Sequence, residues 1–246
     1  MVGWAWSMRI LGFIYLFVCT MAVILTRSRL PPKHGGTIKP DFRIFNDGTG
    51  ILALVTLGTW FLEWGLFVPL SYVPEFAAAN GLNNGYQIAA ILNAMSFFGR
   101  WAPGWFADRI GRFNTMIITS LGCFIVVFAF WLPSDGSVTA PSNTYGLLIT
   151  FAVLFGFFSG SNISLTPICV GQLCDTQEYG RYYATVYTIV SVGSLVGLPI
   201  AGSLVRAAGG KYWGIVVFTG ACYIVSTAAF AAARIRQVGW GFKAVW

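Results

Sequence analysis

The chain has 246 residues, of which 57% are hydrophobic and only 9% charged, and it carries a formal net charge of +7. Soluble domains carry roughly a quarter charged residues, so lipid must be the solvent for most of this surface and a soluble globular domain is excluded. The positive charge does not imply nucleic-acid binding, because no basic stripe with interleaved aromatics lies in a soluble segment.

An apolar run of about 20 residues crosses a bilayer as a helix. Seven such runs occur, at 8–26, 50–72, 87–107, 113–132, 145–169, 182–205 and 213–234. The first is the shortest and carries Arg9 at its very start, as a signal peptide would. Thr20–Thr26 offers no small-x-small cleavage site, however, and basic residues follow it, so a retained span is expected. Next comes the polar stretch 27–49, in which Pro31-Pro32-Lys33-His34-Gly35-Gly36 breaks helix and predicts a basic cytoplasmic linker. His34 is the only histidine, so it reads as solvated and no metal site is expected. Six spans then follow on short loops, predicting an all-α membrane protein. Its plan is a single helix (1–26), a linker (27–49), a six-helix unit (50–234) and a cytoplasmic tail (235–246). The cysteines Cys19, Cys123, Cys169, Cys174 and Cys222 show no framework spacing and read as small buried side chains.

Lys/Arg asymmetry orients the spans. Eleven basic residues fall on one side: Arg27, Arg29, Lys33, Lys39, Arg43, Arg109, Arg112, Arg181, Arg234, Arg236 and Lys243. The other side receives Arg9, Arg206 and Lys211. The N-terminus is therefore expected outside and the C-terminus in the cytoplasm.

Two ionisable residues fall well inside spans, Glu63 in the second and Arg100 in the third. A charge at the bilayer centre costs about 2.5–3.5 kcal/mol on insertion scales, and such residues mark solute paths by default. The bland alternatives are an interhelix hydrogen bond or a snorkelling side chain. Asn93, Ser96 and Arg100 share one side of the third span, Thr56, Thr59 and Glu63 form a stripe on the second, and Ser159, Ser161, Asn162, Ser164 and Thr166 precede Pro167 in the fifth. These faces predict a polar cavity with Arg100, Ser96, Asn93 and Asn162 as solute-binding groups and Glu63 as a proton site.

The sharpest motif is Gly104-Trp-Phe-Ala-Asp108-Arg109-Ile-Gly111-Arg112, between the third and fourth spans. It resembles the signature cytoplasmic loop of the major facilitator superfamily, found between the second and third helices of each half. The run Ile91–Gly104 resembles the eighth helix of that superfamily's monocarboxylate-porter branch, especially fungal members. Phe67–Pro74, Gly193–Gly202 and Arg234–Trp240 are also similar to that branch. The resemblance implies a chain running from the family's sixth helix to its end, acting with an N-terminal half that has no counterpart here. It implies a small monocarboxylate or related organic anion as cargo, with the carboxylate bound at Arg100. Where the family has a proton-coupling aspartate this sequence has Ser96, which leaves Glu63 as the candidate proton carrier. Multi-pass insertion, with the plasma membrane as the expected site, and membrane lipid as a partner follow.

Two other classes compete. Seven spans also describe a G-protein-coupled receptor, and Asp108-Arg109-Ile110 follows the third span as that family's triplet does. No cysteine stands near the start of that span, though, and no Asn-Pro-x-x-Tyr run lies in the last. A regulatory or structural membrane protein derived from a transporter half is the other reading. An enzyme is not expected, because the chain lacks a His/Cys/carboxylate cluster, a Ser-His-Asp set and a phosphate-cradling loop. No cofactor is implied.

Overall fold

The computed structural model describes residues 3–27, 40–46, 48–135 and 143–240, and the chain divides into two units, 1–38 and 39–246. Lys33, His34 and Lys243 lie outside the described residues. In the first unit, α1 (Trp4–Leu25) has no buried residue. A helix apolar on every side suits a lipid surround. Its hydroxyls are quenched within the helix: Thr20 donates to the Leu16 carbonyl at 2.7 Å.

The second unit holds α2 (Ile51–Ala79), α3 (Gly85–Ile110) and α4 (Arg112–Val126). A π turn, Val127–Trp131, continues α4 into the short α5 (Leu132–Ser134), making one rod, Arg112–Ser134. Three further helices follow, α6 (Thr144–Gly171), α7 (Tyr179–Ala207) and α8 (Trp213–Val238). Every expected span is thus a helix. The second runs seven residues past its expected end, because Pro69 and Pro74 sit inside α2 without ending it. Proline is tolerated in membrane helices whose neighbours re-satisfy the freed backbone groups. Six helices are long and apolar enough to cross a bilayer among the described residues. The helix below that threshold is α3, which spends its middle on Asn93, Ser96, Arg100 and Pro103.

Helix α2 packs against α3, α6, α7 and α8, α4 sits between α6 and α8, and α3 lies along α6. Between apolar helices in lipid, close van der Waals fit replaces the hydrophobic drive. Glycines supply that fit. Gly156 and Gly160 of α6 lie against the Leu92 and Ser96 carbonyls, and Gly99 of α3 lies against the Phe157 carbonyl, so close that a Cβ at any of the three would overlap the oxygen. On the opposite side of α2, Trp60 rests on Gly193 and Trp64 on Gly197 of α7, and the Trp64 indole donates to the Gly193 carbonyl at 2.6 Å. A file of aromatics then crosses the core: Phe76 meets Trp131 at 6.2 Å, Trp131 meets Phe151 at 5.2 Å, and Phe151 stacks on Phe155 at 5.0 Å. Phe155 ends edge-on to Tyr223 at 5.9 Å. Such pairs add about 0.5–1.5 kcal/mol each beyond area burial.

The far end of the expected linker is not free chain. Phe42–Asn46 forms a 3-10 turn with Ile44 buried. The Asp41 amide donates to the Thr185 hydroxyl at 3.1 Å, and the Asp41 carboxylate meets Arg181 at 3.4 Å. Arg236 donates to the Thr49 carbonyl at 3.3 Å. These contacts place the start of α2, the start of α7 and the end of α8 at one end of the bundle, the end richest in arginine. That shared end is expected to face the cytoplasm. A lone cysteine introduced at Lys211 should react with an impermeant maleimide in intact cells, whereas one at Arg109 should react only after permeabilisation. The reverse pattern would invert the orientation.

Candidate functional site: an arginine on a polar helix

Arg100 lies ten residues before the end of α3, roughly 15 Å along the axis at 1.5 Å per residue. It is exposed on the bundle surface. Among the described residues the ion pairs are those of Arg181 with Asp41 and Glu178, so no carboxylate there neutralises Arg100. Asn93, two turns away, is exposed on the same side, and its amide donates to the Ala89 carbonyl at 2.9 Å.

Ser96 and Asn162 are placed differently. Ser96 is 9% exposed and belongs to the seam against Gly160. Asn162 is fully buried between α6 and α4, where the Thr119 hydroxyl donates to its Oδ1 at 3.5 Å and its Nδ2 lies 3.9 Å from the Cys123 sulfur. The structure therefore brings Arg100 and Asn93 together on an open surface and holds Ser96 and Asn162 in helix–helix seams. The other α6 hydroxyls turn back on their own helix: Ser159 to Gly156, Ser161 to Phe158, Ser164 to Ser161 and Thr166 to Asn162. Serine and threonine do this readily inside helices, which makes the polar midsection of α6 a packing feature.

Glu63 is 9% exposed on α2, and Thr56 and Thr59 beside it bond the carbonyls of Leu52 and Val55, each at 2.8 Å. Tyr187 of α7 lies within electrostatic reach of its carboxylate. Tyr187 caps a ladder, with Tyr183 at 4.5 Å and Tyr179 a further 5.7 Å along. The i, i+4, i+8 spacing of these tyrosines is the signal the sequence carries for this ladder.

In the loop motif, Gly111 ends α3 and begins α4 with φ 102 and ψ 144. That conformation belongs to glycine. The Thr115 hydroxyl closes the turn on the Gly111 carbonyl at 2.9 Å. Arg109 lies over the Trp105 ring at 3.9 Å, Asp108 is exposed, and Gly104 and Arg112 are half-buried. In the next loop on that side, burial together with Asp175 and Glu178 pushes the Cys174 thiol above its ordinary range, away from nucleophilic reactivity. Among the described residues no cluster of His, Cys, Asp and Glu could hold a metal ion.

These features define an all-α membrane protein whose second unit is a bundle of six long helices. No family model matches the chain. Along nearly its whole length it is similar to fungal transporters of the major facilitator type. It is 35% identical to an MFS-type transporter of Penicillium oxalicum, over 98% of this chain and 55% of that one. It is 34% identical to the riboflavin transporter of Saccharomyces cerevisiae, over 96% of this chain and 47% of that one. To the aspyridones efflux protein of Emericella nidulans it is 36% identical, over 98% and 47% respectively. The chain spans about half the length of the curated relatives it matches, and these relatives are transporters, not enzymes.

Proposed function

We propose that this chain is the C-terminal portion of a solute transporter of the major facilitator superfamily, carrying a small monocarboxylate or related organic anion. The observation that carries the anion reading is Arg100, an exposed guanidinium in the middle of the least apolar helix, without a carboxylate partner among the described residues. Lipid is a costly place for such a charge, and a carboxylate matched to its planar fork would offset that cost. Asn93 stands beside it as a second polar contact. Ser96 and Asn162 remain in the proposal as groups that set the spacing of α3, α4 and α6 behind the site. Glu63 is the proposed carrier of a coupled proton, and the plasma membrane the proposed location.

The family builds its solute path between two similar bundles that rock against each other. One bundle supplies one wall, so an N-terminal half of the same kind is the proposed partner. Liposomes holding this chain alone should show no saturable uptake of lactate or pyruvate. Co-expression with the N-terminal half of a fungal relative should restore uptake that a carboxylate competitor inhibits. Saturable uptake by the chain alone, sensitive to that competitor, would refute the two-bundle reading.

A further inference from the structure

A buried carboxyl can serve as a proton carrier only if something delivers the proton and takes it away. Glu63 is 9% exposed on α2, so little of it meets water directly. Among the described residues no lysine or arginine pairs with it from α3, α6, α7 or α8, so no fixed cation competes for the carboxylate. Tyr187 lies within electrostatic reach of it, and the Tyr187 phenol is in hydrogen-bonding reach of Tyr183. The Tyr183 and Tyr187 rings stand 4.5 Å apart, and Tyr183 stacks on Tyr179 at 5.7 Å. Tyr179 opens α7 and rests against Gly171, the last residue of α6. Eight residues separate Tyr179 from Tyr187, roughly 12 Å at 1.5 Å per residue. Beside the foot of this ladder opens a polar cavity of about 350 Å³, lined by Gln172, Leu173, Cys174, Asp175, Glu178 and Tyr182. It lies at the arginine-rich end, where Arg181 pairs with Asp41 and Glu178 and where Asp175 is exposed. Three phenols thus stand between an acid inside the bundle and acids at its mouth. Phenylalanine would stack as well as tyrosine does, so packing alone gives no reason for the hydroxyls.

We propose that Tyr187, Tyr183 and Tyr179 form the proton path between Glu63 and the aqueous mouth beside Asp175 and Glu178. The proposal rests on Glu63 being the proton site and adds the route. On release, the Glu63 carboxyl gives its proton to the Tyr187 oxygen as the Tyr187 O–H gives its own to Tyr183. Tyr183 passes a proton to Tyr179 in the same way, and Tyr179 hands one to water at the mouth. Glu63 is left as a carboxylate, water has gained one proton, and every phenol is neutral again. A hydroxyl that both donates and accepts is what each rung requires, and the phenol is one. Rotation of each O–H resets the ladder, and uptake runs the steps in reverse. Asp175 and Glu178 keep the mouth negative, which concentrates protons at the foot of the path.

Time-resolved infrared spectroscopy of the full chain in nanodiscs after a pH jump tests it. The Glu63 carboxyl band is the one that Glu63→Gln removes. In Tyr183→Phe, which keeps the ring stack, that band should appear about a hundredfold more slowly, the lower end of what a positioned proton-transfer group contributes. Its equilibrium midpoint should stay where it is, since Tyr187 remains within reach of Glu63. Thr188→Val is the control. It removes a hydroxyl of α7 that lies off the ladder and bonds the Ala184 carbonyl, and it should leave the rate unchanged. A Glu63 band that appears at the unaltered rate in Tyr183→Phe would overturn the path and leave Glu63 standing as the proton site. Equal slowing in Thr188→Val would assign the effect to a loosened α7 and overturn the path too. If Glu63→Gln removed no band at any pH, the proton-site reading itself would fail, and the path with it.

Discussion

Leucine in place of Gly99 or Gly160 should remove most of the folded protein from the membrane. At both positions a side chain would be driven into the backbone of the facing helix, the Phe157 carbonyl in one case and the Ser96 carbonyl in the other. A flexible side chain could swing aside, but a helix backbone cannot. The helices would have to part, and the contacts from Leu92 to Pro103 would open together. Overpacking a well-fitted core costs about 1–3 kcal/mol, occasionally more. A rigid backbone partner puts these two substitutions at the upper end. Gly146 on the same helix faces open space, and Gly146→Leu is the matched control. Fluorescence-detected gel filtration after graded heating would read the effect. Gly99→Leu surviving to the same temperature as Gly146→Leu would show that the α3–α6 seam is looser than described.

In a transporter supplied with both halves, Arg100→Lys should impair anion uptake nearly as much as Arg100→Ala. Lysine keeps the charge but presents a point cation, losing the planar pair of donors that grips a carboxylate. Hydrogen bonds to charged groups are worth about 1.5–3 kcal/mol, and 1.4 kcal/mol is tenfold. Losses of roughly 10–100-fold per folded molecule are therefore expected for both variants. Glu63→Gln should leave the anion contact intact and flatten the pH dependence of uptake. If Arg100 were only a packing residue the pattern would differ. Arginine to lysine would then be harmless, and Arg100→Ala would lower the amount of folded protein without changing transport per molecule. Since Arg100 is exposed in this bundle, its removal should leave the amount of folded half-bundle near normal, which separates the two readings.

The helices were legible because lipid imposes a length and a composition on anything that crosses it. Even α3, which falls short of the hydropathy that the other six reach, was legible as an apolar run at 87–107. Their ends were less legible, since Pro69 and Pro74 look like terminators until neighbouring helices are present to support them. The candidate site was legible only in part, and the reason is angular. Ser96 and Arg100 are separated by about 40° around the helix at 3.6 residues per turn. That small difference puts one in the seam and the other in the open, and only the position of α6 decides it. Periodicity along one chain does not say which helix lies opposite, so the Gly99–Phe157 and Gly197–Trp64 fits could not be foreseen. Hydroxyls mislead for a similar reason. Ser159, Ser161, Ser164 and Thr166 look like a cavity lining in sequence, yet each bonds its own helix. Arg234, counted only as one of the basic residues that orient the spans, is buried at 5% exposure, which its place in the sequence does not reveal.

The most direct test is the concentration dependence of labelled lactate or pyruvate uptake into proteoliposomes that hold this chain together with a complementary N-terminal half. The account predicts saturable uptake, blocked by excess unlabelled carboxylate and reduced at least tenfold per molecule by Arg100→Ala. Uptake that rises linearly without saturation, or saturates only for a neutral solute and ignores both the carboxylate competitor and Arg100→Ala, would contradict it.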